Sequence, residues 1–295
     1  MKKHIFTGSG VAIVTPMYQD GSINYDKLGE LIDFQIENQT DSIVICGTTG
    51  ESATMTDQEH IDCIDYAVKR TNKRVPVIAG AGSNDTRYAV ELSKEAKNLG
   101  ADALLHVTPY YNKASQRGLI AHFTNVADAT DLPIILYNVP SRTGVNITPD
   151  TYKVLASHKN IVATKEASGN ISHIAEVKAA CGDDLDVYSG NDDQIVPILS
   201  LGGIGVISVL SNVLPKETHD ICELFFKGEI NASRELQLRL LRFINSLFMD
   251  VNPIPVKEAM NLMGLDVGEC RLPLIKMDTA QIEKLKAVMT RINLI

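Results

Sequence analysis

The 295-residue chain has no C-x-x-C pair, no long apolar run, no surplus of base and no closely spaced histidines. Each absence removes a class of function. The five cysteines (Cys46, Cys63, Cys181, Cys222 and Cys270) are odd in number and widely scattered. Neither a disulfide framework nor a zinc site is suggested, and they read as buried thiols of a reducing cytosol. The longest apolar stretch near the start, Val11 to Val14, is interrupted by Pro16. It is too short for a signal-peptide core or a membrane span, so a soluble cytoplasmic protein is expected, with no membrane partner. With 28 basic against 36 acidic residues the net charge is -8, which argues against nucleic acid or an anionic membrane, since either needs clustered Lys and Arg. The seven histidines (His4, His60, His106, His122, His158, His173 and His219) show neither H-x-x-x-H nor H-E-x-x-H spacing, so no metal is expected. No G-x-G-x-x-G follows the first apolar run, and no nucleotide or other cofactor is expected.

What is present is a recurrence. Short β-rich runs appear at Val11–Val14, Ser42–Cys46, Val75–Ala79, Ala103–Val107, Ile134–Tyr137, Ile161–Lys165, Leu185–Tyr188 and Gly205–Val209. They are spaced by about one βα unit each. Between them lie helical patterns, with Leu28, Leu31, Ile32 and Ile36 on one face, a capping box at Thr56-Asp57-Gln58-Glu59, and Thr148-Pro149 as a further helix start. Strands that are continuously apolar suit a parallel sheet covered by helices. The expected fold is α/β, a (β/α)8 TIM barrel, with a doubly wound open sheet as the other possibility. After the eighth run only helical patterns follow, including Leu236, Leu240, Leu241, Ile244 and Leu247, then Ile282, Leu285, Val288 and Met289. The expected division is a barrel over 1–224 and an all-helical C-terminal appendage over 225–295.

In such a barrel, chemistry belongs to the C-terminal ends of the strands. Lys165 closes the run Ile161-Val162-Ala163-Thr164-Lys165, where an amine drawn into an apolar wall loses hydration, deprotonates more readily and can attack a carbonyl. A lysine paired with the adjacent Glu166 is the bland alternative. Thr48 and Thr49 follow the second run, Tyr110 and Tyr111 the fourth, Tyr137 and Arg142 the fifth, and Gly190-Asn191 the seventh. Backbone N–H groups of the Thr48-Thr49-Gly50 turn suit a carboxylate, with the following helix adding a favourable dipole. Gly202-Gly203-Ile204-Gly205 looks like a phosphate loop but precedes the eighth strand, at the wrong rim for the usual barrel phosphate site.

Five motifs then resemble the dihydrodipicolinate synthase family across nearly the whole chain. They are Gly47-Thr48-Thr49-Gly50-Glu51-Ser52, Thr108-Pro109-Tyr110-Tyr111-Asn112, Tyr137-Asn138-Val139-Pro140-Ser141-Arg142-Thr143-Gly144, Lys165-Glu166-Ala167-Ser168-Gly169 and Asn252-Pro253-Ile254-Pro255-Val256-Lys257. That family is similar to N-acetylneuraminate lyase and other class I aldolases, with which it shares the Gly-x-x-Gly-Glu and strand-six lysine motifs. The resemblance implies a Schiff base between Lys165 and pyruvate, and condensation of its enamine with L-aspartate semialdehyde to 4-hydroxy-tetrahydrodipicolinate, in the diaminopimelate route of lysine biosynthesis. It implies a proton relay of Tyr137, Thr48 and Tyr111, the last able to come from a neighbouring subunit. It further implies that Arg142 grips the carboxylate of aspartate semialdehyde, where a sugar-acid lyase usually has a smaller or uncharged residue. Thr49, Gly190 and Ile207 fall where the family lines its substrate pocket. Self-association as a homotetramer (a dimer of dimers) or a tight homodimer is also implied. Lysine-inhibited members hold that effector with an asparagine, a tyrosine, a glutamate and usually histidines. Asn84, Tyr110 and His60 fit, whereas Tyr88 stands for the glutamate and Asp57 for a histidine, so weak or absent lysine inhibition is expected. A lyase of N-acetylneuraminate or a 2-keto-3-deoxy sugar acid remains the alternative, and a catalytically silent barrel binding a small acid the remote one.

Overall fold

The structure is a computed structural model that describes residue 2 and residues 4–295. Eight parallel strands form a closed barrel in sequence order: β1 (Gly8–Ala12), β2 (Ser42–Ile45), β3 (Val77–Gly80), β4 (Ala103–Val107), β5 (Ile134–Asn138), β6 (Ile161–Glu166), β7 (Asp186–Ser189) and β8 (Gly205–Ser208). This is the (β/α)8 barrel. Strand runs such as Ser42–Ile45 and Ile161–Glu166 are buried at every position, as a sheet covered on both faces requires. Alternate residues serve two cores. Ala12, Val44, Ile78, Leu105, Ile135, Tyr137, Ala163 and Ile207 share the barrel interior. Val11, Ile43, Ile45, Leu104, Leu136 and Val206 face the surrounding helices through Leu28, Ile32, Ile64, Leu92, Phe123 and Tyr152.

Those helices are α1 (Tyr25–Glu37), α2 (Asp57–Thr71), α3 (Thr86–Asn98), α4 (Gln116–Asp128), α5 (Pro140–Thr143), α6 (Pro149–Ala156), α7 (Ile171–Cys181), α8 (Ile195–Ser200) and α9 (Pro215–Phe226). The local signals hold: Thr56 and Glu59 form the capping box of α2, and Thr148 caps α6 with Pro149 in its first turn. Three more helices follow, α10 (Ile230–Ser246), α11 (Ile254–Leu262) and α12 (Thr279–Arg291). Helix α9 packs on β1 and β8, α10 lies across α9, and α12 meets both α10 and α11. Residue 224 falls inside α9, two residues before its end. Among the described residues no helix is long and apolar enough to cross a membrane.

The first strand begins earlier than its apolar run, at Gly8 instead of Val11. The reason lies in barrel closure. A Cβ on Gly8 would sit 2.1 Å from a carboxylate oxygen of Asp41, and one on Gly205 would sit 2.1 Å from the carbonyl oxygen of Gly8. The seam between β1 and β8 therefore closes through glycines, which a search for hydrophobic runs passes over.

Candidate active site

The alternation of β6 decides how its last two residues are used. Lys165 turns into the barrel, 6% exposed, while Glu166 turns to the helix layer and is fully buried. The Glu166 carboxylate accepts hydrogen bonds from Asn138 Nδ2 at 2.6 Å, Tyr152 Oη at 2.9 Å and Ser168 Oγ at 2.7 Å, with the His173 imidazole 3.6 Å away. The pairing of Lys165 with Glu166 is thus replaced by one in which Glu166 braces the outer face of the strand. Strand register puts Tyr137 of β5 beside Lys165, and the Lys165 Nζ lies 4.5 Å from the centroid of the Tyr137 ring. A cation over an aromatic face is favoured. Desolvation outweighs the opposing carboxylate of Asp192: burial, assisted by the Arg142 guanidinium, holds the Lys165 amine down to about 8. Burial pushes the Tyr137 phenol up, and Arg142 and the Thr48 hydroxyl pull it the other way.

Thr48 and Thr49 occupy a tight turn closed by Gly50 N–H donating to Gly47 O at 3.1 Å and Glu51 N–H donating to Thr48 O at 3.1 Å. The Gly50 amide is therefore engaged within the turn. Among the described residues the Thr48 and Thr49 amides donate to no other group, so these two are the donors open to an anion. The helix expected to follow is a single 3-10 turn, Ser52–Thr54, so its dipole adds little, and α2 begins only at Asp57. Thr49 is buried, and its Oγ1 accepts a hydrogen bond from Asn252 Nδ2 at 3.0 Å. Arg142 lies in the short helix α5, and its Nη2 donates to the Asn252 carbonyl at 3.1 Å. Gly190 directly follows β7, where a Cβ would come 2.7 Å from that of Ala167, so only glycine lets the segments after β6 and β7 approach this closely. Ile207 is fully buried in the barrel interior that also holds Tyr137.

Two adjoining cavities open above these residues. The smaller, about 50 Å3, is lined by Gly47, Thr48, Gly82 and Tyr137, and the larger, about 530 Å3, by Thr48, His60, Tyr88, Tyr110 and Arg142. Lys165 thus borders the phenol that lines the inner space. Another cavity, of about 480 Å3, lies at the opposite rim among Pro76, Asp102, Pro133 and Asn160, the residues that lead into strands. Barrel chemistry is not found at that end. Gly202 and Gly203 also lie before β8, as their position in the sequence requires.

The remaining sequence candidates divide. Tyr111 is 91% exposed and lines neither upper cavity, so the fold of a single chain does not bring it to Lys165. Its backbone has φ of +71°, unusual for a bulky residue. Asn84 holds that loop, its Nδ2 donating to the Tyr110 carbonyl at 3.1 Å and its own carbonyl accepting from Asn112 Nδ2 at 2.9 Å. His60 and Tyr110 line the larger cavity, but the His60 Nε2 is bonded to the carbonyl of Gly80 at 2.7 Å and burial pulls its pKa down. Tyr88 and Asp57 meet each other on the same wall, the Tyr88 hydroxyl donating to Asp57 Oδ1 at 2.7 Å. Two contributors escaped individual notice in the sequence. Asp192 is buried, with Oδ2 accepting from the amides of Val209 and Leu210, and it is the carboxylate that acts on Lys165. Asn252 stands inside a motif already noted, which was its only signal. No group of three His, Cys, Asp or Glu among the described residues is placed to hold a metal ion.

A model of the dihydrodipicolinate synthetase family matches residues 5–292. The chain belongs to this family. A protein of Lachnoclostridium phytofermentans called 4-hydroxy-tetrahydrodipicolinate synthase is 60% identical over 292 residues, covering 99% of each chain. A crystal structure of the chloride-inhibited dihydrodipicolinate synthase of Acinetobacter baumannii complexed with pyruvate superposes with a TM-score of 0.97 at 42% identity, covering 99% of this chain and all of that one. The enzyme of Cyanidioschyzon merolae, solved with lysine bound, gives a TM-score of 0.96 at 40% identity, covering 99% of this chain and all of the other.

Proposed function

We propose that the chain is a lyase of the 4-hydroxy-tetrahydrodipicolinate synthase type, condensing pyruvate with L-aspartate semialdehyde in lysine biosynthesis. The observation that carries this reading is the buried Lys165 amine, held down to about 8 beside the Tyr137 phenol on a strand end of the family's barrel. The neutral amine adds to the ketone carbon of pyruvate, and the adduct takes up a proton and loses water, forming a cationic imine. The imine draws electrons from the methyl group, whose proton departs to give an enamine. The enamine carbon attacks the aldehyde of aspartate semialdehyde, whose oxygen takes up a proton. The amino group of that substrate then attacks the imine carbon and expels Lys165, closing the ring of the hydroxylated product. Tyr137 moves protons at the imine and Thr48 passes them on, since hydroxyls do this without fixing the lysine as its ammonium. The amides and hydroxyl of the Thr48–Thr49 turn hold the pyruvate carboxylate. The Arg142 fork holds the carboxylate of the aldehyde. Gly190 and Ile207 shape the wall around the imine.

Tyr111 completes the relay in a second copy of the chain, within a tight dimer or a tetramer of two such dimers. The barrel through residue 224 carries the chemistry and segment 225–295 braces it. Five unpaired thiols suit a reducing cytoplasm.

The test is reduction with borohydride in the presence of pyruvate, followed by peptide mass mapping and by product analysis with each acceptor class. A mass increment on Lys165 and a product formed with aspartate semialdehyde are expected, with Lys165→Ala losing both. Turnover of N-acetylneuraminate or a 2-keto-3-deoxy sugar acid instead would move the chain to a sister activity. Absence of any adduct would leave a small-acid-binding barrel.

A further inference from the structure

The connection between α10 and α11 is not part of the barrel, yet Asn252 within it reaches the mouth. Its side chain is buried, with 6% of the residue exposed. Its Nδ2 donates to Thr49 Oγ1 at 3.0 Å, and its backbone carbonyl accepts from Arg142 Nη2 at 3.1 Å. Its Oδ1 is buried without a hydrogen-bond partner. A buried amide with an orphaned oxygen is unfavourable and is retained where its other end is needed.

A threonine hydroxyl has one hydrogen to give and two lone pairs with which to accept. Donation from Asn252 occupies an acceptor position of Thr49 and leaves the hydroxyl hydrogen available to an anion in the turn. We infer that Asn252 is a positioning residue: through its amide N–H it sets the donor direction of the Thr49 hydroxyl for the pyruvate carboxylate, and through its carbonyl it anchors Arg142. The helical appendage thereby reaches both substrate subsites through one residue. This deepens the proposed function and rests on pyruvate binding at Lys165 with its carboxylate at the Thr48–Thr49 turn.

The polarity of the bond makes the inference testable. Asn252→Asp keeps the shape but puts a carboxylate oxygen where the N–H was, capturing the Thr49 hydrogen and adding negative charge near the anion. Borohydride trapping at increasing pyruvate gives the half-saturating concentration directly. That concentration is expected to rise about tenfold or more in Asn252→Asp and about threefold in Asn252→Ala, the isosteric change being worse than the truncation. At saturating pyruvate kcat falls less than KM rises. The KM for aspartate semialdehyde stays near wild type, because Arg142 is held by a backbone carbonyl that both variants keep. In a Thr49→Val background Asn252→Ala adds no further loss.

Wild-type half-saturation in Asn252→Asp would overturn the inference, since that is the outcome of a reversed amide whose oxygen accepts from Thr49. Equal loss from Asn252→Ala with and without Thr49 would overturn it as well. Should Asn252→Ala fail to fold, the isosteric variant decides alone. A wild-type protein with no adduct on Lys165 defeats the parent reading instead and is recognised before any variant is made.

Discussion

At Lys165 three influences act on one proton. Burial and Arg142 favour the neutral amine, and Asp192 favours the ammonium. The first step of the proposed chemistry uses only the neutral form, so imine formation with pyruvate alone should rise with pH and level off above about 8. Asp192→Asn removes the carboxylate that supports the ammonium and should shift this midpoint to lower pH; Arg142→Gln should shift it higher. Rapid-quench borohydride trapping across roughly pH 6 to 10 reads both shifts, and a profile indifferent to both variants would refute the electrostatic account. Lys165 could be singled out in the sequence because an ammonium at the end of Ile161-Val162-Ala163-Thr164 conflicts with its surroundings. Asp192 could not. It sits in a 3-10 turn after β7, and only the pairing of β7 alongside β6 brings that turn to the Lys165 end of the sheet.

Among the elements, α11 departs most from what its composition suggests. It is largely apolar, but Lys257 is buried in it, and the Nζ donates to Glu51 Oε1 at 2.9 Å, Glu269 O at 2.8 Å and Thr15 O at 3.1 Å. The second oxygen of Glu51 accepts from the Arg271 amide at 2.9 Å. This pair joins the appendage to the residue that follows the Thr48–Gly50 turn, where Glu51 has φ of +58°. Lys257→Met would leave the Glu51 carboxylate buried and unpaired, a loss of about 3–5 kcal/mol. Lys257→Met combined with Glu51→Leu should recover much of it. Urea unfolding of the single and double variants checks this, and additive losses would contradict it. Strand and helix positions were legible because period and capping are local; the start of β1 was not, because its glycines answer to Asp41 and to the neighbouring strand. The partner of Lys257 was equally hidden, since Glu51 is remote in sequence and only the packing of α11 on the barrel brings the two together.

For the whole molecule, the exposed Tyr111 is the feature that a single copy leaves unused. If a second copy completes each site, chains carrying Lys165→Ala and chains carrying Tyr111→Phe should be nearly inactive alone. Mixed and reassembled, they should regain up to about a quarter of wild-type activity, since one site in each mixed pair holds both intact residues. No recovery, with mixed assembly verified by mass, would place Tyr111 in its own chain's site or in none. The resemblance in sequence suggested this sharing, but no periodicity or spacing in one chain can report a contact between two. The parallel register that sets Tyr137 beside Lys165 has a wider consequence. The two side chains assigned to the imine, Lys165 and Tyr137, stand on paired strands, whereas Arg142 projects from a four-residue helix on the rim. If Arg142 holds the acceptor as proposed, acceptor preference can drift by changes in that rim segment while the covalent half-reaction stays intact, giving one scaffold from which aldolases with different second substrates can diverge.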